Sequence, residues 1–85
     1  MQITILYFAR IKEVVNYSSE EVALPDDIET IIALKAWLAN RGDHWRNLFQ
    51  GSGVVRAAIN HQLVDDMAGF EEGDEVAFFP PVTGG

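Results

Sequence analysis

Residues 2–9, Gln-Ile-Thr-Ile-Leu-Tyr-Phe-Ala, carry apolar side chains on both parities: Ile3, Ile5 and Tyr7 on one, Leu6 and Phe8 beside Thr4 on the other. The β-branched and aromatic content predicts a strand. A strand that is apolar on both faces lies at the centre of a sheet, or turns one face to something beyond its own core. Asn16 to Ser19 is a turn cluster, and the alternation over 20–24 predicts a second strand forming a hairpin with the first. Pro25-Asp26-Asp27 ends it. The period then changes. Ile31, Leu34 and Leu38 fall at i, i+3 and i+7, which predicts a helix near 30–40. Its start is either Asp26 with Glu29 as a capping box or Thr30 as N-cap. Arg41-Gly42 reads as a cationic last turn followed by a glycine C-cap.

Residues 43–53 read as a loop whose Trp45, Leu48 and Phe49 tuck under the rim of the sheet, with Gln50-Gly51-Ser52-Gly53 as a flexible break. Strands are expected over 54–60, 63–64 and 75–80, separated by turns at Asn60-His61-Gln62 and Glu71-Glu72-Gly73-Asp74. In the last strand Val76 and Phe78 share one face, and Ala77 and Phe79 the other. The order β-β-α-β-β-β, with one main helix across a mixed sheet of about five strands, is that of an α+β roll. Its first and last strands are expected side by side and parallel at the centre.

Length and charge narrow the functional classes. Eighty-five residues make one domain, expected over 1–80 with an extended tail over 81–85. Six basic against thirteen acidic residues give a net charge of −7, with no basic cluster. Nucleic acid and anionic membrane surfaces are therefore unfavourable partners, and a basic protein is a favourable one. The absence of cysteine excludes a disulfide scaffold, an iron–sulfur site, a thiolate zinc site and a cysteine nucleophile. No apolar run approaches a membrane span, and the apolar start lacks a basic leader, so the expected location is the cytoplasm.

No catalytic constellation emerges. His44 and His61 have no metal-ligand spacing, and no metal site or bound cofactor is expected. Trp37 and Trp45 lack the basic groove of a stacking platform and read as packing residues. Asp65-Asp66 and Glu71-Glu72 read as solvated loop charges, and Gly51, Gly53 and Gly73 follow no phosphate-loop pattern. The unusual feature is the end, Pro80-Pro81-Val82-Thr83-Gly84-Gly85. Two prolines stiffen and aim the exit from the last strand. Two glycines, without a Cβ, then let the backbone and its α-carboxylate enter a narrow tunnel.

The block Gly73-Asp74-Glu75-Val76-Ala77-Phe78-Phe79-Pro80-Pro81-Val82-Thr83-Gly84-Gly85 resembles the C-terminal signature of the molybdopterin synthase small subunits, the ubiquitin-like sulfur carriers of molybdenum cofactor biosynthesis. Leu6-Tyr7-Phe8-Ala9-Arg10-Ile11-Lys12-Glu13 is similar to that family's first strand and its charged exit, and residues 38–42 and 58–64 resemble its middle. Two positions depart from the pattern: Phe70, where leucine is frequent, and Lys35, where an apolar residue is common.

The resemblance implies a β-grasp fold and a carrier function within a heterotetrameric synthase. An E1-like adenylating enzyme would use ATP to activate the carboxylate of Gly85. A sulfur donor would convert the adenylate to a thiocarboxylate. The tail would then enter the large subunit and give its sulfur to cyclic pyranopterin monophosphate, forming the molybdopterin dithiolene. Gly85 would carry sulfur and Gly84 give clearance, while Thr83, Val82, Pro81 and Pro80 set reach and direction. Catalytic residues proper would lie on the large subunit. By the same resemblance Phe8, Leu63 and Phe79 would form an exposed docking patch beside the tail, against the alternative that they are core. The competing readings are a carrier for a thiamine-type pathway, a ubiquitin-like modifier joined to lysines, and an interaction module whose tail has no chemical use.

Overall fold

The computed structural model describes residues 1–81. Its elements are β1 (Gln2–Tyr7), α1 (Ala9–Val15), β2 (Ser19–Ala23), α2 (Ile31–Ala39), α3 (Asp43–Gln50), β3 (Arg56–Ile59), β4 (Gln62–Val64) and β5 (Glu75–Phe79). The strands form one sheet in the order β2-β1-β5-β3-β4. The first and last strands pair in parallel at its centre, from Thr4 opposite Glu75 to Tyr7 opposite Phe78. Antiparallel partners flank them on both sides. The arrangement is the α+β roll expected from the strand pattern, and the β-grasp fold that the resemblance implies.

The predicted helix is present as α2. Thr30 is its N-cap, its side chain accepting from the Ala33 N–H at 3.3 Å. The first free amides of the helix donate to the loop before β5, Ile31 to Ala68 and Ile32 to Asp66. Ile31, Leu34 and Leu38 are fully buried against Ile3, Ile5 and Tyr7 of β1 and Val76 and Phe78 of β5. Phe70 adds to the same core.

Three expectations are corrected. The link between β1 and β2 is a helix rather than a tight hairpin turn. Ala9, at a φ of 52°, turns the chain sharply out of the strand, and Ile11 and Val15, one helical turn apart, are buried beneath α1. Residues 43–50 are a helix and not a loop. Trp45, Leu48 and Phe49 lie at i, i+3 and i+4 and pack half-buried against the core, as that spacing allows only in a helix. Gly42 is accordingly not a left-handed C-cap of α2. Asn40 caps α2 in right-handed geometry, and Gly42, at a φ of 157°, is the N-cap of α3.

Lys35, the polar departure in the middle of α2, is buried. Its ammonium donates to the Val55 carbonyl at 2.7 Å and to Asp66 Oδ1 at 2.8 Å. One cation thus ties α2 to the chain entering β3 and to the loop that also receives the helix amides. Removing it leaves the Val55 carbonyl without this donor and empties the volume of its stem. Lys35→Ala should lower the free energy of unfolding by about 2–3 kcal/mol, Lys35→Met by less because the stem is kept, and half-exposed Asp66→Ala by least. Urea unfolding of the three variants checks the order.

Candidate functional site: an uncovered sheet face beside the tail root

Cross-strand partners point to the same side of a sheet, so the register assigns every strand residue to a face. Ile3, Ile5, Tyr7, Val76 and Phe78 point toward the helices and are buried. Leu6, Ala77, Ala58 and Leu63 lie opposite one another in a single row across four strands on the other side. Phe79, paired with Arg56, stands one position nearer the tail. Phe8 continues β1 beside it, its amide donating to the Phe78 carbonyl at 3.0 Å. No described helix covers this side. Phe8 is 48% and Leu63 61% exposed, while Leu6, Ala58, Ala77 and Phe79 are half-buried. Both faces of β1 and β5 are thus apolar, but only one meets the core of this chain.

Phe8, Leu63 and Phe79 therefore share this open face and are not core residues. Pro80, half-buried, and Pro81, exposed, continue β5 past the same edge. Val82, Thr83, Gly84 and Gly85 lie outside the described residues.

A second concavity adjoins the tail root. A cleft of about 440 Å³ runs between α1 and α3, lined by Arg10, Val14, His44 and Leu48, and opens at Pro80 and Pro81. It has no counterpart in the sequence reading because neither helix was expected. The spacing of Trp45, Leu48 and Phe49 was the signal that would have revealed its far wall.

Among the described residues two ionisable groups depart from ordinary values, and both lie away from the open face. Burial, with a hydrogen bond from the Tyr7 hydroxyl to Glu20 Oε2 at 2.7 Å, pushes Tyr7 far above the usual phenol range. Arg41 forks onto the same carboxylate at 2.7 and 3.1 Å. This pairing raises Arg41 in spite of its own desolvation. Its guanidinium sits 5.3 Å from the Trp37 ring and 4.6 Å from the Trp45 ring. Such perturbation marks a reactive site when it borders a cleft. Here the groups pair with one another and fasten β2 to the corner between α2 and α3. His61 is exposed in the turn after β3, 3.6 Å from Glu75 Oε1, and His44 is exposed on α3. Among the described residues no group of three or more histidine, aspartate or glutamate side chains is placed to hold a metal ion. No helix among them is long and apolar enough to cross a membrane.

Residues 5–85 match the model of the ThiS family. Among curated proteins the chain is 42% identical over 83 residues to the molybdopterin synthase sulfur carrier subunit of Escherichia coli K12, covering 98% of this chain and 99% of that one. Among solved structures it is similar to the Haloferax volcanii HVO 2177 protein, with a TM-score of 0.78 and 29% identity over the whole of this chain and 87% of that one. It also shares its fold with a chain in the complex of subunits 1 and 2 of the molybdopterin-converting factor of Helicobacter pylori, with a TM-score of 0.66, 24% identity and full coverage of both chains.

The Tyr7 environment has a consequence at high pH. Its folded pKa lies above the unfolded value of 10.0. Stability from this group is complete below pH 10 and declines as the pH rises beyond it, because the unfolded chain gives up the proton first. In an alkaline titration followed by tyrosinate absorbance, Tyr7 should ionise only as the chain unfolds. Tyr7→Phe should remove the absorbance step that coincides with unfolding.

Proposed function

Because the chain belongs to the ThiS family, and within it to the molybdopterin synthase sulfur carrier subunits, we propose that Gly85 is the sulfur-bearing group of a cytoplasmic carrier. The observation that carries this reading is the order of parts at one edge of the molecule: an uncovered apolar face, the last strand beneath it, and the run Pro80-Pro81-Val82-Thr83-Gly84-Gly85 leaving that strand.

A carboxylate is a poor electrophile. In the proposed cycle the Gly85 carboxylate attacks the α-phosphorus of ATP on an E1-like adenylating enzyme, and pyrophosphate leaves. Sulfur supplied by a donor at the oxidation level of sulfide then displaces AMP from the acyl carbon, giving a thiocarboxylate whose sulfur is a good nucleophile. That sulfur attacks cyclic pyranopterin monophosphate on the large synthase subunit, water cleaves the acyl–sulfur bond and returns the Gly85 carboxylate, and two such transfers build the dithiolene. The partnership is supported by the Helicobacter pylori relative of the same fold, which was solved as a complex of the two subunits. The small chain supplies no catalytic side chain in this scheme. Its contribution is reach, direction and docking: Pro80 and Pro81 aim the tail, Val82 and Thr83 extend it, and Gly84 gives clearance. Phe8, Leu63 and Phe79 seat the domain on its partner.

Incubation with the activating enzyme, ATP and a sulfur source should raise the intact mass by one oxygen-for-sulfur exchange at Gly85. One residue appended after Gly85 should abolish the gain; activation of the extended chain at the wild-type rate would refute the carrier reading.

Phe79→Ala should weaken binding to the large subunit by about 2 kcal/mol while changing the unfolding free energy by less than about 1 kcal/mol. Titration calorimetry and urea unfolding read the two quantities separately. Replacing Pro80 and Pro81 together by glycine should keep the fold and weaken the complex, the loss fading as the large subunit approaches saturation.

A further inference from the structure

The open face is not electrically uniform. Arg56 pairs with Phe79 at the end from which the tail departs. At the opposite end Glu21, Thr4 and Glu75 form one row on the same side of the sheet. The apolar row of Leu6, Ala77, Ala58 and Leu63 lies between. We propose that this distribution fixes the in-plane orientation in which a partner docks: it presents basic groups opposite Glu21 and Glu75, and a carboxylate opposite Arg56, around its own apolar surface. The inference rests on the reading of this face as the docking surface.

Orientation needs a determinant other than hydrophobicity. Apolar contact is non-directional, so a patch this small can be covered equally well in either sense. The tail leaves from one end only, and a partner turned half a revolution would hold its receiving pocket at the wrong edge. Overall charge does not decide the matter either. A net charge of −7 draws a basic partner toward every side of the molecule alike.

The two ends of the face act independently. Glu75 and Phe79 are four residues apart on one strand, roughly 13 Å at ~3.3 Å per residue, beyond the Debye length of about 8 Å at physiological salt. The charges are also available. Lys35, Arg41 and Arg46 are engaged with Asp66, Glu20 and Asp43, whereas Arg56 makes no ion pair among the described residues. Among the described residues the Glu75 carboxylate pairs with His61 alone, which is charged only when protonated.

The test is the association rate with the purified large synthase subunit, measured by stopped flow at low and high salt. Arg56→Glu takes the net charge from −7 to −9. Steering by net charge alone would speed its association with a basic partner. The orienting frame slows it, by about 3–10-fold at low ionic strength, with the effect fading in high salt. Arg56→Gln should act in the same direction to a smaller degree, and serves if the reversal disturbs β3. Glu75→Lys and Asp27→Lys both bring the charge to −5, but Asp27 lies exposed in the turn after β2, off this face. Glu75→Lys should slow association several-fold more than Asp27→Lys. An unchanged or faster rate for both Arg56 variants, or equal slowing by the two lysine variants, overturns the frame. Unchanged affinity in Phe79→Ala would instead overturn the docking face itself, which keeps the two failures distinct.

Discussion

The parallel pairing of β1 with β5 is the constraint on which the rest of the molecule depends. These strands come from opposite ends of the chain, so nothing local brings them together, and everything between must return β5 to the side of β1. The helices achieve this by covering one side of the pair. Ile3, Ile5, Tyr7, Val76 and Phe78 form a continuous apolar strip that α2 seals with Ile31, Leu34 and Leu38. The other side is left bare, and because β5 is central, the chain leaves the sheet between β1 and β3. Core, open face and tail root are three results of one pairing.

The small polar devices of the fold hold this arrangement in register. Lys35 ties the middle of α2 to the entry of β3 and to the loop before β5. At the far corner Glu20 receives both the Tyr7 hydroxyl and the Arg41 fork, joining the edge strand β2 to β1 and to the α2–α3 junction. Neither feature belongs to a reactive centre. Each anchors a buried or half-buried polar group to a partner on a different element, so that the sheet and helices meet in one way only. Gly73 serves similarly at the turn before β5: its φ of 83° suits a residue without a Cβ, and its amide donates to the Gln2 carbonyl at 2.7 Å.

The legible parts of the sequence were those with an undiluted period. Alternation in β1 and β5 placed those strands centrally, and the dual apolarity of both already pointed to a face directed outside the core. Ile31, Leu34 and Leu38 located α2 to within a residue at either end. The short helices were obscured for different reasons. In α1 the β-branched Ile11, Val14 and Val15 read as readily as an extension of the strand, and the sharp corner at Ala9 has no glycine to announce it. In α3 the helical spacing was present, but Gly42 suggested an ending where it marks a beginning. Exposure of Phe8 and Leu63 could not be read from residue type at all, because it follows from where three helices happen to pack. The relation of the tail to a partner came from a motif and not from periodicity.

The position of β5 also bears on what happens when the tail is pulled. A strand at the edge of a sheet can be peeled away one hydrogen bond at a time. β5 is held along both sides, parallel to β1 and antiparallel to β3, and Pro80 follows it directly in the chain. Tension drawn through Pro80 therefore loads both ladders in shear, with many bonds sharing the force at once. The domain is anchored at its mechanically strongest strand. Under the proposed function, a partner that draws the tail inward or releases it therefore pulls on a strand held on both sides and not on one that can be peeled from an edge.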